Sequence, residues 1–249
     1  MSAAETARIH DEVRRQVLRA YERIRATQQR VLDLHDQVRV VSRRVSGAEA
    51  TIRSLQSVDD PAGRRNIGRD VATEMEEARG HGRRAYMIGL EVTRDLHQLQ
   101  SSLAEVKHDI DTADRQRMSP QERVDMTVLA SRVDNMAWSV ALAVPAAASV
   151  TESMLYAEDR ARVITEQALR EVPPLKSPAV FEEITKDLNR AVEGEAHLQS
   201  ATSDSLRLAE AVTEHSELVA EAAHARMAGE QQRDLPGAFP GSSSVGPQW

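Results

Sequence analysis

An apolar side chain recurs at alternating steps of three and four residues through most of this chain, and this heptad repeat most constrains its fold. In the first segment, the a positions of the repeat are His10, Val17, Ile24, Val31, Val38, Val45 and Ile52. The d positions are Val13, Ala20, Thr27, Leu34, Val41, Ala48 and Leu55. Such spacing puts these side chains along one side of an α-helix, where other helices must cover them.

Three further segments carry the same pattern. In the second, the a and d positions are Gly68, Val71, Met75, Ala78, Gly82, Ala85, Gly89, Val92, Leu96, Leu99, Leu103, Val106, Ile110 and Ala113. In the third they are Met126, Leu129, Val133, Met136, Val140, Ala143, Ala147, Val150, Met154, Ala157, Ala161, Ile164 and Ala168. The fourth is looser and runs through Phe181, Ile184, Leu188, Leu198, Leu208, Val212 and Val219, with interruptions at Gly194, Ser205 and His215.

Proline and glycine separate these segments. Pro61 and Gly63 disfavour continuation of the first helix, and Pro173 and Pro174 end the third. Ser119-Pro120-Gln121-Glu122 has the Ser cap, the Pro and the Glu of a helix start. We predict helices at about residues 4–57, 67–115, 120–172 and 178–229.

Helices of similar length with short connections favour antiparallel neighbours. We therefore predict an all-α fold: an elongated up-down-up-down four-helix bundle over residues 1–230, with coiled-coil-like heptad packing. The first helix is rich in arginine and the fourth is strongly acidic, which predicts that these two are neighbours. The alternative architecture keeps two helical hairpins open and closes their seams between chains in a dimer.

Composition excludes several classes of function. The chain has no cysteine, which rules out disulfides and thiolate metal sites. A net charge of −7 argues against nucleic acid as a partner. Arginine greatly outnumbers lysine, a bias typical of GC-rich bacterial genomes. The first residues contain no apolar run of the kind a signal peptide needs, so we expect a cytoplasmic protein.

Two Glu-x-x-His motifs are the best metal candidate: Glu105 with His108, and Glu221 with His224. Carboxylate-bridged metal bundles use two such motifs on two helices. Their heptad positions face solvent, however, so we predict no metal and no cofactor. No Ser-His-Asp arrangement and no phosphate-binding glycine loop is visible either, so we predict no catalytic residues and no enzyme activity.

The stretch containing Gly80, Gly82 and Gly89 is unusual inside a helix, because each glycine costs about 1 kcal/mol relative to alanine. The heptad phase continues through it without a slip. We favour a thin seam, where a neighbouring helix approaches closely. The alternative is a hinge that exposes nearby arginines.

The third helix carries apolar residues outside its heptad stripe, with Trp138 and Pro145 at f positions and Leu142 at c. Exposed apolar patches usually mark contact surfaces. These residues predict either a surface for self-association or a protein partner, or a broader internal core. The run between Asp134 and Glu152 has no charge, so insertion of residues 137–150 into a membrane is the alternative function, although the run is short of the roughly 20 residues of a spanning helix.

The last residues, 231–249, are rich in Pro, Gly and Ser, and we predict that they are disordered. Phe239 and Trp249 within them are candidate anchors for a folded partner. Together these features predict a non-enzymatic structural or adaptor protein that self-associates or docks a protein partner.

Overall fold

The computed structural model describes residues 3–54, 60–113, 118–170 and 178–234, and nearly all of them are helical. The helices are α1 (Ala3–Ser54), α2 (Pro61–Thr112), α3 (Pro120–Leu169) and α4 (Pro178–Asp234). Contacts run from α1 to α2, from α2 to α3, from α3 to α4 and from α4 back to α1. The predicted four-helix bundle is therefore confirmed, and its seams close within one chain.

Neighbouring helices run in opposite directions. Each interface contains two polar contacts at different heights along the bundle: Gln16–Asp109 and Arg44–Glu74, Lys107–Asp134 and Arg79–Glu158, Arg132–Ala211 and Arg160–Asp187, Arg14–Glu217 and His35–Glu195. In every pair of helices, early residues of one meet late residues of the other. This is the up-down-up-down order, with helices about 75 to 85 Å long at 1.5 Å per residue.

The heptad positions form the core of the first three helices. All those predicted from His10 to Ala48 in α1, from Val71 to Ala113 through α2, and from Met126 to Ile164 in α3 are buried. Ile52, near the end of α1, is half-buried, and Leu55 lies outside the described residues. The core is thus a long, narrow seam of aliphatic side chains.

The seam of α4 differs from the predicted stripe because polar residues take part in it. Leu208 is half-buried, and its neighbour Ala209 lies in the seam instead. Thr202 and Ser205 are buried there, and their hydroxyls donate to the carbonyls one turn earlier, at 2.8 Å each. These local hydrogen bonds let a polar side chain occupy a core position without an unpaired hydroxyl.

The second helix begins at Pro61 rather than near Ile67. Asp60 caps it, with its carboxylate accepting from the backbone N–H groups of Ala62 at 3.2 Å and Gly63 at 3.0 Å. Pro61 takes the first helical position, where its missing N–H costs nothing. The proline read as a stop signal is therefore part of a start signal.

The start predicted for α3 has the expected cap. The Ser119 hydroxyl accepts from the backbone N–H of Glu122 at 3.2 Å, and the Glu122 carboxylate accepts from the N–H of Ser119 at 2.7 Å. This reciprocal pair satisfies two donors at the helix end.

The fourth helix extends to Asp234, so residues 231–234 are helical rather than disordered. Gln and Arg at these positions are good helix formers, and Pro236 is the next residue that blocks a helix. The rest of the tail, 235–249, lies outside the described residues, as do the predicted ends of α1 at 57 and α3 at 172. The second helix ends at Thr112 rather than near 115.

The first and last helices are neighbours, as the charge pattern predicts. Among the described residues, however, only one arginine of α1 forms an ion pair with α4. Arg14 meets Glu217 at 3.2 Å. Arg30 and Arg44 instead pair with carboxylates of α2. The arginines of α1 therefore serve both of its neighbours.

Candidate functional site

Three outward residues of α3 form what we call the outer strip: Trp138, Leu142 and Pro145. Trp138 is 68% exposed and Leu142 is 53% exposed, and Pro145 is exposed as well. Large apolar side chains that a chain leaves in water are the usual mark of a contact surface when they are contiguous.

The strip lies on the uncharged segment of α3, residues 135–151. The helix continues through Pro145 without interruption from Pro120 to Leu169. Pro145 has no N–H to donate to the carbonyl of Ala141, so it removes one helical hydrogen bond beside the strip. Its position on the solvent side makes that loss tolerable, because water reaches the exposed backbone.

Beside the strip, an open groove of about 530 Å³ runs between α3 and α4, and we call it the α3–α4 groove. Its α3 wall consists of Ser139, Leu142, Pro145, Ala146 and Ser149. Its α4 wall consists of Arg190, Glu193, Gly194, His197, Ser200, Ala201 and Asp204. Two outer-strip residues, Leu142 and Pro145, thus contribute to one wall of a groove whose other wall carries charges of both signs.

Small residues at the base of the α3–α4 groove make it deeper. Gly194 is buried, and a Cβ added to it would lie 2.9 Å from Cγ2 of Val150 and 3.5 Å from the carbonyl oxygen of Ala146. The backbone of α4 therefore approaches α3 closely here. The Ser139 hydroxyl donates to the carbonyl of Ala201 at 3.0 Å and fixes the two helices together.

On the other side of α3, the predicted glycines lie in three different settings. A Cβ added to Gly89 would meet the Thr151 hydroxyl at 2.4 Å. A Cβ on Gly82 would meet Glu158 at 3.7 Å, an ordinary contact distance, and Gly80 is exposed with nothing within 4 Å. Of these three glycines, only Gly89 marks a close approach of α2 to α3, and α2 remains a continuous helix through all three. Gly68, earlier in α2, marks another, since a Cβ added there would lie 2.9 Å from the carbonyl oxygen of Ala168.

Two buried carboxylates of α4 hold neighbouring helices. Glu195 accepts from Gln199 at 2.8 Å and lies 2.6 Å from Nδ1 of His35 on α1. Asp187 lies 2.6 Å from Nε of Arg160 on α3. These pairs tie α4 to both of its neighbours, which gives each buried charge a structural role.

At the end of the bundle where α1 begins, His10 occupies a core position and is 2% exposed. Neither ring nitrogen has a hydrogen-bond partner among the described residues. Burial lowers the pKa of His10, against the opposing effect of the carboxylates of Glu122, Asp125 and Asp11, and with that of Arg226. The folded chain thus favours the neutral imidazole.

The Glu-x-x-His motifs do not assemble. Glu105, His108, Glu221 and His224 are all exposed, as their heptad positions predict. His224 bonds the carbonyl of Ala220 through Nδ1 at 2.8 Å, and its Nε2 lies 3.3 Å from Asp11. Within the described parts of the chain, no group of three or more His, Asp or Glu side chains is placed to hold a metal ion.

By length and composition, α3 is apolar enough to cross a membrane, with an 18-residue window of mean hydropathy 1.3. Half of that window is buried inside the bundle. A buried core helix meets the same criterion, so the window alone does not separate a core helix from a membrane segment.

Comparison with protein-family models, with curated proteins and with solved structures finds no match for this chain. Function is therefore inferred from its own residues. Of the predicted contact residues, the structure brings Leu142 and Pro145 together in one groove wall, with Trp138 one turn away on the same face. Phe239 and Trp249 lie outside the described residues.

Sequence reasoning missed the α4 wall of the groove. Arg190, Glu193 and His197 lie on the face of α4 that borders α3, which only the pairing of the two helices reveals. Gly194 was the available signal, because a glycine at a buried helix position indicates close approach of a neighbour.

Proposed function

We propose that this protein is a non-enzymatic structural or adaptor protein that self-associates or docks a protein partner through the outer strip of α3. The observation that carries the proposal is the 68% exposure of Trp138 in the uncharged segment of a helix. Tryptophan is among the residues that most often dominate binding energy at protein interfaces.

The magnitude supports such a role for Trp138. Covering its exposed part removes on the order of 100 to 170 Å² from water, worth about 3 to 4 kcal/mol at 25 cal/mol per Å². That gain offsets part of the cost of association, and Leu142 adds to it. Folding of the single chain does not supply this free energy, because Trp138 lies outside the core.

The test compares Trp138→Glu with Leu218→Glu by light scattering on a sizing column over a range of concentrations. Leu218, on α4, is 65% exposed and lies away from the strip, so it is a matched control. We expect wild type and Leu218→Glu to associate and Trp138→Glu to remain a monomer with unchanged Tm.

Two results would contradict the proposal. Association of Trp138→Glu equal to that of wild type would exclude the strip as the contact surface. A large loss of stability in Trp138→Glu would show that Trp138 belongs to the core. A wild type that stays monomeric throughout would restrict the proposal to docking of a different protein.

A second candidate is a bundle that inserts the apolar segment of α3, residues 137–150, into lipid. The hydropathy of α3 favours it, whereas the segment lacks the aromatic belts that anchor membrane helices at both interfaces. Dye release from liposomes tests this candidate. Leakage that depends on acidic lipid or low pH would support it, and intact liposomes under all conditions would exclude it.

A further inference from the structure

The outward side of α3 carries a second stripe with heptad spacing, opposite to the core seam. All of its members are exposed: Val124, Val128, Ser131, Asn135, Trp138, Leu142, Pro145, Ser149, Glu152 and Tyr156. The first eight are uncharged. We call this set the outer stripe, and it contains the outer strip at its centre. Alternating steps of three and four are the spacing with which one helix covers another.

The outer stripe offers both a projecting side chain and a place to receive one. Trp138 projects into solvent, and the α3–α4 groove opens one turn further along the same face, beside Leu142 and Pro145. The groove volume of about 530 Å³ exceeds that of a tryptophan side chain. A surface that contains a projection and a matching recess suits a symmetric contact between identical chains.

We propose that the occupant of this face is a second copy of the chain, packed antiparallel, α3 against α3, about a two-fold axis near Val140. This proposal rests on the proposed function and names its partner. In that register, Trp138 of each copy meets Leu142 of the other, at the mouth of the α3–α4 groove. Val124 of each copy meets Tyr156 of the other, so these four apolar or aromatic members of the stripe are paired with one another, whereas Pro145 faces Asn135.

The charges on α3 favour the antiparallel arrangement over a parallel one. In a parallel pair, Glu152 of one copy would face Glu152 of the other, and like charges in direct opposition are unfavourable. In the antiparallel pair, Glu152 faces the neutral Val128, and both Arg132 and Asp125 of the second copy lie within one turn of that position. Asp134 of each copy faces Ala146. Glu152 is the one carboxylate among the members of the stripe, so in this register no two carboxylates of the stripe oppose each other.

The area available predicts a reversible dimer. From Val124 to Tyr156 the stripe is about 48 Å long at 1.5 Å per residue, and a helix face is roughly 10 Å wide. The two copies would together bury on the order of 1,000 Å², which is the lower bound for a specific interface. We therefore expect a dimer that dissociates on dilution, with Kd in the micromolar range.

Cysteine cross-linking tests the register, because the chain has no cysteine of its own. Ser131 and Ser149 are exposed members of the stripe at equal separations from Val140. In the antiparallel dimer, Ser131 of one copy faces Ser149 of the other. Two copies of the same serine lie about 27 Å apart, too far for a disulfide.

The experiment mixes Ser131→Cys with Ser149→Cys, one of them carrying a mass tag, under mild oxidation. We expect the mixed disulfide to dominate, little disulfide from either variant alone, and loss of the mixed product when Trp138→Glu is added to both. Because each substitution is on the exposed face, both variants should fold as wild type, which their melting curves check.

The outcomes also distinguish this inference from the proposed function. Homodimeric disulfides in place of the mixed one, or no disulfide at concentrations where light scattering shows a dimer, would overturn the antiparallel register but leave the strip as a contact surface. A monomer at every concentration would overturn the second copy as occupant. Association of Trp138→Glu equal to that of wild type would overturn the proposed function itself.

Discussion

On the inner face of α3, Met136 and Val140 are fully buried, whereas Trp138 and Leu142, on the outer face of the same segment, are 68% and 53% exposed. Both faces are apolar, and neither carries a charge between residues 135 and 151. The two faces therefore differ in their surroundings rather than in their composition.

The surroundings indicate a separate role for each face. The inner face is apolar because it is packed inside the bundle, between the neighbouring helices α2 and α4, and its burial stabilises the fold. The outer face is left in water by its own chain, so its apolar character contributes little to folding. Substitutions on the inner face should change stability, and substitutions on the outer face should change association.

The largest expected effect is on the inner face. Met136→Ala should lower the free energy of unfolding by about 2 to 4 kcal/mol, because it leaves a cavity in a packed seam. Leu142→Ala, on the outer face of the same segment, should lower it by less than about 0.5 kcal/mol. Urea denaturation at a concentration low enough to keep the protein monomeric measures both.

Equal losses of stability in the two variants would mean that Leu142 also belongs to the core, and the two faces would then not differ in role. Equal values of the m slope for the two proteins are the control, since a change in m would indicate altered compactness rather than altered stability.

The next effect concerns the contact between α2 and α3 at Gly89, where there is no space for an added Cβ. Gly89→Ala should cost about 1 to 3 kcal/mol, because the new Cβ would overlap the Thr151 hydroxyl. That hydroxyl donates to the carbonyl of Ala147 at 2.7 Å, so it resists moving aside. Gly82→Ala is the matched control. An added Cβ at Gly82 would meet Glu158 at an ordinary contact distance, so the higher helix propensity of alanine should raise the free energy of unfolding by up to about 1 kcal/mol.

Thermal or urea unfolding of the two variants, together with Gly89→Ala/Thr151→Ala, checks this prediction. Removing the Thr151 hydroxyl should restore part of the loss. A stable Gly89→Ala, or an unstable Gly82→Ala, would show that the close approach is not at Gly89.

The smallest of the three effects concerns His10, which is the converse of Trp138: a polar ring in the core rather than an apolar ring in water. His10→Leu should raise the free energy of unfolding by about 1 to 2 kcal/mol at neutral pH, because it replaces a buried imidazole that has no hydrogen-bond partner in the described part of the chain. It should leave the association of the protein unchanged.

The same substitution should flatten the pH dependence of stability. Since burial lowers the pKa of His10, the unfolded chain takes up a proton more readily as the pH falls below the ordinary value of 6.5. Wild type should therefore be fully stable above that pH and lose stability on acidification from it. A wild-type stability curve that is flat below pH 6.5, or that His10→Leu leaves unchanged, would contradict this account.

The sequence predicts most of the fold because heptad spacing depends only on the chain itself. It missed the start of α2 because Asp60 and Pro61 combine as a cap, while the heptad stripe begins only several residues later. It missed the seam of α4 because buried Thr202 and Ser205 satisfy their hydroxyls within their own helix, so an apolar pattern does not reveal them.

The outer strip could be predicted because Trp138 and Leu142 lie outside the heptad positions of their own helix. The groove beside it could not. Its far wall comes from α4, and its depth comes from the approach of Gly194 to Val150, which depends on how two helices align along their length. Pairing between distant segments leaves no local pattern in the sequence.

The fluorescence of Trp138 reports whether the outer strip is exposed in the single chain and covered on association. The chain has two tryptophans, so Trp249→Phe leaves Trp138 as the only one. Emission wavelength and acrylamide quenching are then followed as the protein is concentrated. We predict a water-exposed Trp138 in dilute protein and a shielded, blue-shifted Trp138 in concentrated protein. A Trp138 that is shielded at every dilution would contradict the claim, because its own chain would then cover the outer strip.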